Sequence, residues 1–176
     1  MSTARAELLK LATLPALLLT VALTWAVTTL ITLAAVGDPD PVPLARAGFL
    51  VLGVLAASSE YEGGQLRTTL LGTPRRARLQ LVKALVLALV AGPVAIVTVL
   101  IAGTGNPGHL VLITLIAAGV TTVLRHALAG VVVTIGYYFV LSPLLHDRVD
   151  DSLWLPVCWA LGIGLAATFT VVHRDA

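Results

Sequence analysis

The chain is poor in charged residues and in cysteine. Only 11% of its 176 residues are Asp, Glu, Lys or Arg, whereas 58% are hydrophobic, and the mean hydropathy is +0.99. A soluble globular domain is excluded, because such a domain needs far more polar surface to cover its core. The single cysteine, Cys158, excludes an intrachain disulfide and cannot anchor a metal site alone.

The formal charge is small as well, at +2, which argues against a nucleic-acid partner. The few charges are clumped along the chain. The uncharged stretches between them are close to the roughly 20 apolar residues that cross a bilayer as a helix. The sequence therefore predicts an all-α integral membrane protein that is surrounded by the lipid bilayer.

Two kinds of functional site are missing from the sequence. No Asp or Glu lies within the apolar stretches, whereas proton- or sodium-driven carriers usually need ionisable groups at membrane depth. There is also no phosphate-binding loop of the form G-x-x-x-x-G-K-[ST], so the chain does not bind ATP in that way. If the protein moves a substrate uphill, we expect the energy to come from another polypeptide.

Six apolar segments predict six transmembrane helices, which together form a single transmembrane domain over residues 1–176. The first segment is longer than the roughly 7–15 apolar residues of a signal peptide, so we expect it to be retained as a helix. The approximate bounds of the six spans are 11–36, 42–59, 84–102, 109–124, 127–145 and 153–172.

Two boundaries leave alternatives open. Only Arg125 and His126 separate the fourth and fifth segments. We favour a tight cytoplasmic hairpin over one long kinked helix, because about 36 residues would be too long for a bilayer. For the loop 146–152, re-entry into the outer leaflet is an alternative to a simple external turn.

The basic residues predict the orientation of the chain. Of the eleven Lys and Arg residues, only Arg46 and Arg148 lie on one side of the six-span arrangement, and the other nine lie on the opposite side. The positive-inside rule then places the other side, and with it both termini, in the cytoplasm. Arg46 lies near the outer end of its span, where a long side chain can extend to the headgroups. The basic residues of the cytoplasmic side are Arg5, Lys10, Arg67, Arg75, Arg76, Arg78, Lys83, Arg125 and Arg174.

The polar segment 58–78 is the most distinctive part of the sequence. Leu66 and Leu70 are four residues apart, which suits a short amphipathic helix on the cytoplasmic surface that ends before Pro74. We expect this helix to dock a soluble partner. The arginines that follow it have an equally good explanation as topology signals that bind anionic lipid.

Threonines recur at every fourth position of the first span, and this series is called the threonine stripe: Thr20, Thr24, Thr28 and Thr32. With Trp25 beside it, the stripe is either the mildly polar wall of a substrate path or a packing face. We favour packing, in which each hydroxyl bonds the carbonyl one turn back. Tyr137 and Tyr138 on the fifth span are likewise either cargo contacts or packing residues.

Four parts of the chain carry a family resemblance: Glu7-Leu8-Leu9-Lys10-Leu11, Ser59-Glu60-Tyr61 through Thr73-Pro74-Arg75-Arg76, Leu124-Arg125-His126-Ala127 leading to Phe139-Val140-Leu141-Ser142-Pro143, and His173-Arg174-Asp175-Ala176. In these parts the sequence resembles the membrane subunits of bacterial ABC type-2 transporters, particularly the actinobacterial permeases. Glu62 departs from the pattern, because members commonly have a basic residue there.

The resemblance implies partners and a mechanism. Two permease subunits, identical or different, pair with two cytoplasmic ATP-binding subunits that use ATP and Mg²⁺. The permease is then not an enzyme and binds no cofactor or metal; its coupling helix rests in a groove of the ATPase and transmits closure to the spans. The implied coupling residues are Glu60, Gly64, Gln65, Leu66, Arg67, Leu70, Pro74, Arg75 and Arg76.

The resemblance also implies a path between subunits that is lined by the first and fifth spans, with Arg125 and His126 in a cytoplasmic turn. We therefore expect an exporter in the bacterial cell membrane that moves a lipophilic, drug-like, peptide or lipid substrate out of the cytoplasm. The alternative is a membrane immunity or accessory protein that binds a peptide or partner without transport. The implied path residues are Thr20, Thr24, Trp25, Thr28, Thr32, Tyr137 and Tyr138.

Overall fold

The chain folds into packed α-helices, as its composition predicts. The structure is a computed structural model that describes residues 9, 13–34, 40–59, 76–141 and 154–174. Helices hold 92% of these residues, and no strand occurs among them. The helices are α1 (Pro15–Ala34), α2 (Val42–Ser58), α3 (Arg76–Ala102), α4 (Pro107–Leu124), α5 (Ala127–Gly136), a π-helix that continues α5 (Tyr137–Leu141), and α6 (Trp154–Arg174).

Three helices are long and apolar enough to cross a membrane: α1, the part Leu79–Ala102 of α3, and α4. The apolar helices Val42–Ser58, Ala127–Val140 and Pro156–Thr170 are shorter. The outer surface is apolar too; Leu33 is 79% exposed and Leu100 is 76% exposed. A surface of this kind suits contact with lipid chains and fits a multi-pass membrane protein.

Local signals set the helix ends on one side of the bundle. The Asp40 carboxylate, one residue before the N-cap Pro41, accepts a hydrogen bond from the Val42 amide at 3.0 Å at the start of α2. Asn106 is itself the N-cap of α4, and its side chain accepts from the Gly108 amide at 2.9 Å. Between α3 and α4 the backbone turns at Gly103, whose φ of 71° is a conformation that glycine adopts readily.

The third helix begins earlier than the sequence predicts. We expected the span to start at Ala84, with the arginine cluster outside it, whereas α3 begins at Arg76. Pro74 lies just before this start, and the residues that follow are mostly good helix formers. The cluster therefore begins a helix rather than a loop, and the prediction was wrong on this point.

The fourth and fifth segments form a hairpin. Arg125 has a left-handed backbone, with φ of 55°, and its amide bonds the Thr121 carbonyl at 2.7 Å. His126 is extended and begins α5. Gly130 lies against Thr121, so the two helices run antiparallel, and the kinked-helix alternative is wrong. The loop 146–152 lies outside the described residues.

The second and fourth helices form the centre of the bundle. Helix α2 packs against α1, α3, α4 and α5, and α4 packs against α2, α3, α5 and α6. Phe49 and Val54 are fully buried on α2. Residues near its start meet the end of α3 and the start of α4, whereas residues near its end meet the start of α3 and the middle of α4. Neighbouring helices in the chain therefore alternate in direction.

Small residues allow the closest helix contacts. Gly53 of α2 lies directly on the backbone of α4, so that a Cβ atom at this position would meet the Thr114 carbonyl and come within 3.0 Å of Ala117. Gly48 lies in the same manner on Thr24 of α1. In lipid, where apolar burial does not drive helices together, such close van der Waals packing is a main source of stability.

Substitution of Gly53 tests this contact. Gly53→Ala is expected to lower the free energy of unfolding by about 1–3 kcal/mol, because the added methyl group overpacks the contact between α2 and α4. The measurement is reversible unfolding in mixed micelles followed by circular dichroism.

The matched control is Gly92→Ala in α3, where an added Cβ has no neighbour within 4 Å. This variant is expected to keep or slightly raise the stability, because alanine is the better helix former by about 1 kcal/mol. Equal losses in the two variants would contradict the close packing of α2 on α4.

Candidate functional site

The predicted coupling residues lie mostly outside the described part of the chain, namely Glu60, Gly64, Gln65, Leu66, Arg67, Leu70, Pro74 and Arg75. Arg76, the last of the set, is the first residue of α3. The helix ends that flank the segment are close together, since Ala57 of α2 and Gln80 of α3 line the same cavity as Thr122 of α4. The segment therefore connects two helices at the end of the bundle that also carries the Arg125–His126 turn.

The threonine stripe is bonded within its own helix. Each of its four hydroxyls donates to the carbonyl oxygen four residues earlier, at 2.7–2.8 Å. Thr28 is fully buried and Thr24 is 8% exposed, against Gly48 of α2. These two residues have the packing role that we favoured. A path along the stripe stays a prediction, for which Thr20 and Thr32 are the more accessible members.

Trp25 ties the first helix to the third. Its indole N–H donates to the Thr98 hydroxyl oxygen at 3.1 Å, and Thr98 in turn donates to the Val94 carbonyl at 2.8 Å. Thr98 is completely buried. Trp25 is therefore a structural link between α1 and α3 in this chain.

The two tyrosines contact different helices. Tyr137 is 45% exposed, and its ring centroid lies 6.2 Å from that of Trp159 on α6. Tyr138 is partly buried; its hydroxyl lies 3.4 Å from Nε2 of His109 on α4, and its ring lies under the guanidinium of Arg46 on α2. Both begin the π-helix, whose wider turn changes the helical phase at this point.

The predicted path residues do not come together within one chain. The first helix packs mainly on α2 and α3, whereas α5 packs on α2 and α4. The threonine stripe and the tyrosines therefore lie on different parts of the bundle. A path that uses both would need a second copy of the chain, as the resemblance implies.

The Arg125–His126 turn is compact. Arg125 is half-buried with its Nε atom fully enclosed, whereas His126 is exposed and precedes α5 without a side-chain cap. No group of three His, Cys, Asp or Glu side chains that could hold a metal ion occurs within the described ranges.

A large apolar cavity lies between α3, α4 and α6 and the end of α2, with a volume of about 590 Å³. Most of its lining is aliphatic, and it includes Val86, Leu115 and Leu161. Gln80 and Lys83, near the start of α3, are among its polar residues. The volume lies within the roughly 300–1,000 Å³ range of small-molecule sites, and an apolar lining suits a lipophilic occupant.

A smaller polar cavity of about 240 Å³ lies at the opposite end of the bundle, where α2, α3 and α4 meet. Arg46, Thr98, Asn106 and His109 are among its lining residues. The guanidinium carbon of Arg46 lies 5.6 Å from the ring centroid of Tyr138, a distance at which a cation and an aromatic face attract each other. The extension of Arg46 to the headgroups stays a prediction.

No protein-family model, curated protein or solved structure matches the chain. The functional interpretation therefore depends on the residues themselves and on the resemblance described above.

Sequence reasoning missed the cluster of Arg46, His109 and Tyr138. A signal for it was present, because Arg46 is the only charged residue in the second apolar segment. An antiparallel hairpin centred on the Arg125–His126 turn also places His109 within about one helical turn of Tyr138. The acceptor role of Thr98 had no signal in the sequence, since it depends on how α1 packs on α3.

The hydrogen bond between Trp25 and Thr98 is testable by a double-mutant cycle. Trp25→Phe and Thr98→Val are each expected to destabilise the protein, with a coupling energy of about 0.6 kcal/mol, the average for interhelical hydrogen bonds in membranes. Unfolding in mixed micelles measures the four free energies. The control cycle replaces Thr98→Val with Thr168→Val, whose hydroxyl bonds its own helix, and should give no coupling. Equal coupling in both cycles would contradict the contact.

Proposed function

We propose that the chain is the permease subunit of an ATP-driven exporter of the ABC type-2 kind. It would be a multi-pass protein of the bacterial cell membrane with six transmembrane helices and cytoplasmic termini. Two permease chains pair with two ATP-binding subunits, which hydrolyse ATP with Mg²⁺, whereas this chain provides the path and catalyses no reaction. The observation that carries the proposal is the polar segment 60–75, with its amphipathic spacing, between two apolar helices.

The ends of α2 and α3 support a coupling role for that segment. Helix α2 ends at Ser58 and α3 begins at Arg76, and Ala57 and Gln80 near these ends line the same cavity as Thr122 of α4. A partner that moves the segment would act directly on α2, which contacts four other helices. Because Gly53 brings α2 onto the backbone of α4, a displacement of α2 would be passed on without a compliant side chain between them.

The large apolar cavity supports a lipophilic substrate. It is lined by four helices, and Gln80 and Lys83, near the start of α3, lie at the end where a substrate would arrive from the cytoplasm. A molecule with an apolar body and a polar or anionic end would fit this distribution. Lipids, hydrophobic peptides and lipophilic drugs share that character.

The second candidate function is that of a membrane immunity or accessory protein, which binds a peptide or partner without transport. The packing of Thr24 and Thr28 favours it, because a buried face offers no polar wall to a substrate within one chain. Recovery of an ATP-binding subunit distinguishes the two candidates.

The proposed orientation is testable by cysteine labelling. Cys158→Ala removes the only native thiol, and Thr104→Cys and His126→Cys each add one at an exposed position beyond the two ends of α4. An impermeant maleimide is expected to label position 104 in intact cells, and position 126 only after permeabilisation. Labelling of both positions in intact cells would contradict a membrane crossing by α4, and the reverse pattern would invert the orientation.

The partner is testable by purification of the tagged protein from its native membranes, with mass spectrometry of the bound proteins. We expect an ATP-binding cassette protein with the native chain. Combined replacement of Gln65, Leu66 and Arg67 by Ala should reduce its recovery at least tenfold, because the docking helix loses its apolar and basic contacts.

The matched control replaces Asp147, Arg148 and Val149 by Ala, which also removes one basic, one polar and one apolar side chain, but on the predicted outer side. Recovery with this control should equal that of the native chain. Full recovery of the ATP-binding protein with both the 65–67 variant and the 147–149 variant would support the exporter function but place the docking site elsewhere in the chain. Absence of the ATPase from an intact, folded native preparation would favour the accessory-protein alternative.

A further inference from the structure

The polar cavity beside Arg46 has features that the proposed exporter function leaves unused. We call it the Arg46 cavity; it is bordered by Arg46 and Val42 of α2, Thr98 of α3, and Asn106 and His109 at the start of α4. Among the residues that the structure places around it, there is no carboxylate. The lining therefore holds one cationic side chain and several hydrogen-bonding groups, and the nearby Asp40 carboxylate is bonded to the Val42 amide.

Arg46 has unused hydrogen-bonding capacity at this cavity. Its Nε atom is buried and has no hydrogen-bond partner among the described residues. One face of the guanidinium lies on Tyr138, which leaves the donors at its edge available. The nearest described carboxylate in sequence, Asp40, bonds the Val42 amide instead. A buried guanidinium nitrogen without a partner is costly, so an anion that bonds it would be favoured.

The helix ends add little net charge at the cavity. The N-termini of α2 and α4 lie there, at Val42 and Asn106, but the Asp40 carboxylate accepts from the Val42 amide and the Asn106 side chain accepts from the Gly108 amide. The C-terminus of α3 lies there too, at Ala102. The guanidinium of Arg46 is therefore the main positive charge at the cavity. The imidazole of His109, held beside Tyr138 at 3.4 Å, adds a further polar contact at the edge of the cavity.

We propose that the Arg46 cavity binds a phosphate group. The planar edge of an arginine matches phosphate oxygens in a bidentate manner. A volume of about 240 Å³ is below the usual range for whole small molecules and suits a headgroup-sized anion. The proposal is independent of the exporter function, because it needs neither the 60–75 segment nor a partner protein.

Two sources can supply this phosphate, an anionic phospholipid and free inorganic phosphate. Leu44 and Leu100, which are 51% and 76% exposed, are close in sequence to the lining residues Val42 and Val99 and would contact the acyl chains of a bound lipid. Free phosphate would need none of these apolar contacts. The experiment therefore treats the two sources separately.

The test uses the full-length protein in nanodiscs of phosphatidylcholine. Phosphatidylglycerol is added to the nanodiscs in one arm, and inorganic phosphate is added to the solution in the other. The thermal midpoint and the number of lipids retained in native mass spectrometry are measured. The variants are Arg46→Gln and Arg46→Lys, with Arg125→Gln as the matched control, because it removes a half-buried arginine at the opposite end.

The expected result is a rise in the thermal midpoint of the native chain and of Arg125→Gln in at least one arm. The apparent affinity should fall at least tenfold in Arg46→Gln. A response to phosphatidylglycerol alone identifies a lipid headgroup, and a response to inorganic phosphate identifies a soluble anion. An equal response of Arg46→Gln and the native chain, or no response in either arm, would overturn the proposal.

Arg46→Lys keeps the test decisive if Arg46→Gln does not fold. Lysine retains the charge and loses the planar edge, so we expect a folded protein whose affinity is about threefold to tenfold lower, since bidentate bonding is replaced by a point charge. Native affinity in Arg46→Lys, together with equal affinity in Arg125→Gln, would show that any bound phosphate is held by charge in general and would overturn the assignment to this cavity.

Discussion

The close approach of α2 and α4 at Gly53 is the contact on which the bundle depends. A helix surrounded by lipid gains little from burying apolar side chains, so the pairs that hold together are those whose backbones can come near. Gly53 permits this approach, and the buried side chains on either side of it, Phe49 and Val54, fill the space that remains. The other helices pack around this pair: α1, α3 and α5 contact α2, whereas α3, α5 and α6 contact α4.

The buried polar groups of the bundle find their contacts in two different ways. The hydroxyls of the threonine stripe are bonded inside their own helix, and they contribute a face that packs as though it were apolar. Arg46 is different, because its long guanidinium side chain does not bond the carbonyl oxygen one turn earlier as a threonine hydroxyl does. It lies instead on an aromatic ring beside a cavity. The threonine hydroxyls therefore contribute to helix packing, whereas the guanidinium of Arg46 can bind a ligand under our proposal.

Composition and hydropathy were sufficient to predict the helical class, the approximate helix bounds and the break at Arg125. These features depend on local signals: apolar length, a charge between two spans, and glycine or proline at the turns. The start of α3 was misjudged because the arginines were counted as membrane-surface charges, although Arg76 is compatible with a helix. The contacts of Trp25 with Thr98 and of Arg46 with Tyr138 join positions far apart in the chain, and periodicity within one segment carries no information about them.

The internal bonding of the threonines has a consequence for how the protein is made. A helix whose hydroxyls all bond its own carbonyl oxygens can enter the bilayer before any later helix has been synthesised, because it leaves no hydroxyl without a hydrogen bond. In α1 all four hydroxyls of the threonine stripe are bonded within the helix. The indole N–H of Trp25, in contrast, gains its acceptor, Thr98, only after α3 has been synthesised. Because the threonine bonds lie within α1, this helix can slide or rotate against its neighbours without breaking them. Its movement is restricted by side-chain packing and by the hydrogen bond between Trp25 and Thr98.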